Sequence, residues 1–447
     1  MLPSDMLRRS FLLGASATPI IGSSLRIATF MADSTPPVGA PIYTGTARSI
    51  ADPLEARGVI LAGSAKPIVI VALDWCEVRN KSYDLWRSEL AAAAGTTRER
   101  VLLSCVHQHD APYTDIEAQQ LLDDARSPHK LCDPAFERDC IAKVASAIRR
   151  ASFQTVTHLG TGQAPVDKVA SNRRYVGDDG KISFGRTSAT RDPAIRNQPE
   201  GLIDPALKTI SFWNGAKPVA ALYGYSTHPM SYYGNGDVSA DFPGIARRKL
   251  QVESPDIFHI YCSGASGDTM AGRYNDGSPA NRQNLAGRLY QAMTTARGAT
   301  RRAPLNRIGF HSAKLTFQPR KDPKYSMQEL NRLLTSNTTT RRERLDAALG
   351  ISWLRRLARR ESIDVPAVDF GSAALIVLPA EAFVQYQLWA QQAAPQKTVI
   401  SLGYGECAPG YIPTNEAVAE GYDDHYSWVD FATCEATLRK AMKEALA

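Results

Sequence analysis

The chain has 447 residues with a 44% hydrophobic fraction, ample for a large core, and neither a long Pro/Ser/Gly linker after residue 45 nor a repeat with a period of about 20–50 residues. One large domain, with at most a small subdomain, is the simplest organisation. The formal charge is +7, but the 52 basic and 45 acidic residues are mixed along the chain. The pairs Arg301-Arg302, Arg341-Arg342, Arg355-Arg356 and Arg359-Arg360 lack the aromatic interleaving of a nucleic-acid groove and read as solvated helix faces, so no nucleic-acid partner is expected.

The N-terminal residues Arg8-Arg9-Ser10-Phe11-Leu12-Leu13 resemble a twin-arginine export signal, followed by a weakly apolar stretch through Ile21. That stretch is too short and too Gly/Ser-interrupted for a permanent membrane span, so no stable membrane insertion is expected. Cleavage near Ala32 assigns residues 1–32 to a leader and starts the mature protein at Asp33, in the periplasm or beyond. The seven cysteines have no CxxC spacing, which argues against a structural zinc knot. An exported chain can form disulfides. Cys132 with Cys140 and Cys407 with Cys434 are the pairs to test, while Cys76, Cys105 and Cys262 sit in apolar runs and read as buried thiols.

Short apolar runs alternate with amphipathic stretches, which indicates an α/β architecture. Ile68–Leu73 reads as a strand ending at Asp74, and Tyr83–Gly95 as a helix closed by its glycine. Val101–Val106 is a second strand, ending at His107-Gln108-His109. Arg138–Ala151 has helical spacing. Residues 152–215 hold shorter strands and a loop rich in Asp, Gly and Arg. Val219–Tyr225 ends at Thr227-His228-Pro229. A helix around Gly244–Gln251 leads into the strand Ile257–Cys262, which runs into the loop Ser263–Asp268. The helix Asn281–Ala296 follows. Residues 326–362 form basic amphipathic helices, and the wider segment 320–365 reads as an insert or lid whose Arg355 and Arg356 would select anionic substrates. Ser372–Leu378 ends at Pro379-Ala380-Glu381, with the helix Phe383–Gln392 beyond.

Five strands therefore each stop at a polar element: Asp74, His107/His109, His228, the Gly/Ser/Asp loop and Glu381. In open α/β sheets the ligand crevice lies at the carboxyl ends of the strands. Residues i and i+2 of a strand share a face, so His107 and His109 emerge together. Imidazole is the commonest metal ligand and a frequent acid–base group. Five such ends in one chain point to imidazoles and a carboxylate gathered at one place.

These residues resemble the N-terminal catalytic domain of the neutral/alkaline (non-lysosomal) ceramidases and their shorter bacterial relatives. The resemblance begins at Thr35-Pro36-Pro37-Val38-Gly39 and continues through Asp52–Val59. Leu103–Pro112 is similar to the family's S-x-T-H-T-H-S-G-P segment, and Ser171-Asn172-Arg173-Arg174 to its N-R-S turn. Thr227-His228-Pro229, Ser239–Gly244 and Pro379-Ala380-Glu381 have their counterparts. Gly410–Thr414 with Glu420-Gly421-Tyr422 resembles a late Y-V-x-T…Y-E-G stretch, one residue shorter between the tyrosines. The resemblance implies a large mixed-sheet α/β domain, without the C-terminal immunoglobulin-like domain of full-length ceramidases. It further implies one catalytic zinc ion held by His107, His228, Glu381 and Tyr411, with His109, Arg173 and Tyr422 around the reacting carbonyl.

One departure bears on mechanism. Where ceramidases carry a serine in the loop G-D-V-S-P-N, Gly267–Gly272 places Met270, and a thioether neither attacks nor relays a proton. A serine-dependent route then requires Ser266 or Thr269 to take its place, whereas an acidified water needs no serine. The expected function is an exported zinc hydrolase of an amide (N-acyl) bond, acting on ceramide or another N-acylated amine or sugar. The alternatives are a zinc esterase and a non-catalytic ligand-binding relative. With no H-E-x-x-H in the chain, a zinc peptidase ranks below these.

Overall fold

The structure, a computed structural model, describes residues 25–63 and 65–447. Three larger sheets carry the architecture. The first orders Gln154–Thr155, β1 (Arg26–Asp33), β2 (Glu55–Ala62), β3 (Ile68–Leu73) and β4 (Val101–Cys105). In the second, Arg301–Pro304 lies on the edge beside β5 (His158–Pro165), followed by β6 (Ala206–Asn214), β7 (Lys217–Tyr225) and β8 (Phe258–Ser263). The third runs β9 (Gly309–Leu315), β10 (Ile363–Asp369), β11 (Ala373–Val377) and β12 (Thr398–Leu402). The longer helices are α1 (Asn80–Ala94), α2 (Ile116–Asp124), α3 (Pro134–Arg150), α4 (Asp241–Glu253), α5 (Pro279–Gly298), α6 (Met327–Thr335), α7 (Arg341–Ala358), α8 (Val384–Ala393) and α9 (Cys434–Leu446).

Most neighbouring strands are antiparallel, but each sheet ends in one parallel pair: β3 with β4, β7 with β8, and β11 with β12. A parallel pair needs a crossover, and α1, α4 and α8 supply it in turn. Local chemistry sets the helix ends. Gly95, at φ +65°, closes α1 by returning its N–H to Ala91 O and Ala92 O. Helix α3 starts earlier than its apolar spacing indicates, because Asp133 caps it and Pro134 takes its first position.

The uninterrupted apolar run of β3 follows from burial on both faces. Ile68, Ile70 and Ala72 join the core shared with the second sheet, whereas Val69, Val71 and Leu73 face α1 and α3. Backbone bonds then join the carboxyl ends of the three parallel pairs. Cys105 N–H donates to Tyr404 O at 2.9 Å, Gly403 N–H to Ser263 O at 2.8 Å, and Gly264 N–H to Tyr225 O at 2.8 Å. No helix among the described residues is long and apolar enough to cross a membrane.

Two sequence expectations change here. Residues Arg8 to Leu13 lie outside the described residues, but Arg26–Ala32, assigned to the leader, belong to β1, which pairs with β2 along its whole length. Any cleavage that leaves this sheet intact falls before Arg26. The seven cysteines are free and buried. Cys132 and Cys434 lie in one core cluster, Cys140 and Cys407 in another, so neither proposed disulfide forms. The segment 320–365 contains α6 and α7. Leu345, Ala348 and Trp353 of α7 are core residues, Arg356 is buried against Asp84 and Glu406, and Arg355 pairs with Glu117. Arg356 is engaged within the fold, whereas Arg355 is half-exposed.

Candidate metal centre

Four strand ends meet at one buried cluster. His107 follows β4, His228 follows β7, Glu381 follows β11, and Tyr404 follows β12. His107, Ala380 and Tyr404 have φ of +76°, +52° and +57°. Such left-handed conformations in residues with side chains are sparsely populated and persist where the surroundings over-determine them. All of His107, His228 and Glu381 are buried.

The hydrogen bonds fix which edge of each imidazole is free. His107 Nδ1 lies 2.8 Å from Cys76 O, and His228 Nδ1 lies 2.6 Å from Ser266 O. A carbonyl only accepts, so Nδ1 carries the proton in both rings and Nε2 presents a lone pair. Both lone pairs face a carboxylate: Glu381 Oε2 is 3.1 Å from His228 Nε2 and 3.4 Å from His107 Nε2. Burial works to raise the Glu381 carboxyl, and only protonated imidazoles at His107 and His228 would outweigh it and hold it well below the usual carboxylate range. Burial pushes His228 down to about 4. With both imidazoles in the neutral form, acceptors face acceptors across Glu381, which a cation between them satisfies. The separations fit as well, since ligands about 2.0–2.1 Å from a tetrahedral zinc ion stand about 3.3–3.4 Å apart. Cys76, His107 and His109 form a second group within ligating distance. There Cys76 Sγ lies 3.8 Å from His107 Nδ1, the nitrogen already committed to the Cys76 carbonyl, which favours the His107–His228–Glu381 group as the metal site.

Tyr411 enters through a two-strand ladder in which Glu381 is its direct parallel partner. Its hydroxyl oxygen accepts from Arg173 Nη2 at 2.8 Å. Burial pushes the phenol well up, and the Arg173 guanidinium pulls the other way. Burial likewise opposes the charge of Arg173, but Tyr411, Tyr422 and Glu381 outweigh it, so the guanidinium stays charged. His109 Nε2 stands 3.4 Å from His107 Nε2, with the rings of Tyr43 and Tyr233 at 4.7 and 5.6 Å. Burial, together with His107 and His228, holds His109 well below its ordinary value, so it is neutral near pH 7. The Tyr422 hydroxyl and Arg173 Nε are buried without hydrogen-bond partners. Phe184 and Phe383 pack edge-on against the Tyr422 ring, at 5.2 and 5.0 Å.

No family model and no curated protein matches the sequence. Solved structures do match the architecture. The neutral ceramidase from Pseudomonas aeruginosa superposes with a TM-score of 0.69 at 17% identity, over 95% of this chain and 74% of that one. A ceramidase complexed with C2 gives 0.69 at 16% identity, over 95% and 75%. The fold is that of a neutral ceramidase.

Within this ceramidase fold, Met270 is buried, its sulfur 3.6 Å from the Ser188 hydroxyl. Ser266 does not take the place of the missing serine. It lies on the Nδ1 side of His228, away from Glu381, and its hydroxyl is engaged with Tyr404 at 2.7 Å. The Thr269 hydroxyl is buried without a partner, beside a carbonyl that accepts the His228 N–H at 2.9 Å. A groove of about 340 Å³ is lined by Asn172, Arg174, Tyr175, Val176 and Leu202 among others, and none of His107, His228, Glu381 or Arg173 lines it. Sequence reasoning missed Tyr404, whose ring stacks on His107 with centroids 4.0 Å apart. Its position directly after the strand Thr398–Leu402 is the signal that marks the other strand ends, but that strand went unread.

Proposed function

We propose that this protein is a zinc-dependent hydrolase of amide bonds, most naturally the N-acyl bond of a ceramide or another N-acylated amine. The observation that carries the reading is the pair of Nε2 lone pairs turned on the Glu381 carboxylate, 3.1 and 3.4 Å away. His107, His228 and Glu381 would hold the ion, with Tyr411 beside them. Zinc there supplies Lewis-acid polarisation of the carbonyl and a water of lowered pKa.

The chain's own groups account for the rest. Arg173 stays charged and donates to Tyr411, which orients the phenol and lowers its cost of ionisation. The unpartnered Tyr422 hydroxyl and Arg173 Nε are donors available to a carbonyl oxygen as negative charge develops on it. His109, neutral when free, is placed beside His107 to take up a proton and deliver it to the departing nitrogen. No serine is required, which suits a chain with Met270 at that place. Ester hydrolysis uses the same apparatus, because esters and amides share a tetrahedral intermediate. The signal-like residues Arg8 to Leu13 support export by a folded-protein route, with any cleavage before Arg26.

The test combines metal analysis with a panel of fluorogenic N-acyl and ester substrates, headed by a short-chain ceramide, on a chain that retains β1. One zinc per chain, with turnover abolished by chelator and by His228→Ala, is the expected result. Zinc binding without turnover of any substrate would favour a non-catalytic ligand-binding protein, the reading that Met270 supports. Turnover that survives both chelator and His228→Ala would exclude the zinc mechanism.

A further inference from the structure

Tyr404 occupies the turn after β12, between Gly403 and Gly405, and is fully buried. Its N–H donates to Ala380 O at 3.2 Å, adjacent to Glu381, and its carbonyl accepts from Cys105 N–H at 2.9 Å, two residues before His107. Its ring lies 12° from parallel with the His107 imidazole, with centroids 4.0 Å apart. Its hydroxyl is 2.7 Å from Ser266 Oγ and 3.5 Å from His228 Nδ1. Ser266 is the residue whose carbonyl takes the His228 Nδ1 proton. One side chain and its own peptide groups therefore reach all three strand ends that present His107, His228 and Glu381.

The turn is built to put the ring there. A Cβ at Gly403 would come within 2.5 Å of Gly264 O, and one at Gly405 within 2.7 Å of Val377 Cγ1. Both flanking positions are closed to side chains, so the turn can press against the sheet ends. Tyr404 itself sits at φ +57°, a conformation that glycine adopts freely and tyrosine rarely. Glycine would relieve the backbone there, but it would remove the stack on His107 and the hydroxyl beside Ser266 and His228.

We propose that Tyr404 is the positioning residue of the metal centre, fixing the planes of both imidazoles so that the Nε2 atoms and Glu381 stand at ligating separations before the metal arrives. It touches no reacting atom, and the proposal rests on the zinc reading given above.

Two substitutions separate its contacts. Tyr404→Phe keeps the stack and removes the hydroxyl, whereas Tyr404→Leu removes both. Zinc affinity would be measured by competition with a chromophoric chelator, alongside the d–d spectrum of the cobalt(II) forms and thermal unfolding of the metal-free proteins. His228→Ala serves as control. Groups that orient metal ligands typically change affinity about 10–100-fold when removed. The expected Kd for zinc therefore rises about tenfold in the Phe variant and about a hundredfold in the Leu variant, with altered cobalt spectra. A tyrosine that merely supports the fold would lower the unfolding temperature and leave affinity and spectrum at wild-type values, and that pattern overturns the proposal. If the Leu variant does not fold, the Phe variant decides alone. Zinc binding lost in His228→Ala but unchanged in both Tyr404 variants defeats this inference and spares the zinc reading. A wild-type protein that binds no zinc defeats both.

Discussion

Asp74 and Glu381 are both buried carboxylates beyond an apolar strand, and along the sequence they read alike. Their surroundings are opposite. Asp74 receives two bonds from the Arg247 guanidinium at 2.9 and 2.8 Å, one from Glu55 N–H at 3.0 Å, and one from Gln108 Nε2 at 3.3 Å. Its charge is neutralised and its oxygens are satisfied by donors. Glu381 faces the lone-pair edges of two imidazoles whose protons are already committed to carbonyls on the other side. A buried charge surrounded by donors is structural, whereas one surrounded by acceptors calls for a cation. The two are also connected, since the residue that bonds Asp74 from the histidine segment, Gln108, lies between His107 and His109.

The sharpest way to break the comparison is Glu381→Gln. Loss of zinc together with a fall in kcat/KM of at least about 10⁴-fold, about 5.4 kcal/mol, is expected, with the fold intact by circular dichroism; retained zinc and activity would make Glu381 no different from Asp74. The converse change is Arg247→Met, which strands the Asp74 charge and should cost about 3–5 kcal/mol in urea unfolding. Folded Arg247→Met protein should still bind zinc, and a selective loss of metal would contradict the structural role given to Asp74.

Glu137 extends the contrast to a buried carboxyl that has donors but no cation. Ser82, Trp86 and Thr114 donate to it at 3.0, 3.1 and 3.1 Å, and burial still pushes it up to about 7. Between the ordinary value of 4.5 and about 7 the folded state keeps a proton that the unfolded state has released. Stability therefore falls as pH rises through that window, by about 3 kcal/mol from this group. Urea midpoints for wild type and Glu137→Gln should diverge between those values, and parallel pH profiles would refute the assignment. The smallest effect expected is for Tyr422→Phe, which removes an unpartnered hydroxyl. A tenfold to hundredfold loss in kcat, about 1.4–2.7 kcal/mol, with unchanged zinc affinity, would place it on the substrate side of the centre.

Much of this arrangement was legible along the chain because it is local. The run Ile68–Leu73 announces a strand, Gly95 announces the end of α1, and the polar elements after five apolar runs mark where strands stop. The strands at β1, β2, β5 and β6 were less legible. β1 was absorbed into a leader, and Gly160 and Gly162 interrupt the pattern of β5. Residues of matching chemistry, such as Asp74 and Glu381, could not be sorted either. Asp74 takes its partner from 173 residues away, and His228 meets Glu381 across 153 residues.

The sequence by itself thus determined the strands, the helices between them, and the set of side chains offered at the strand ends, because apolar period and capping act over a few residues. Only the tertiary structure decided which offers meet. The ends of three separate sheets converge through bonds between distant loops, and the same packing commits one edge of each imidazole to a carbonyl. It also set Tyr404 against His107, gave Asp74 its guanidinium, and buried the cysteines in separate cores. Those outcomes depend on long-range packing and on the low dielectric it creates, where a carboxylate's role is fixed by whether donors or acceptors surround it.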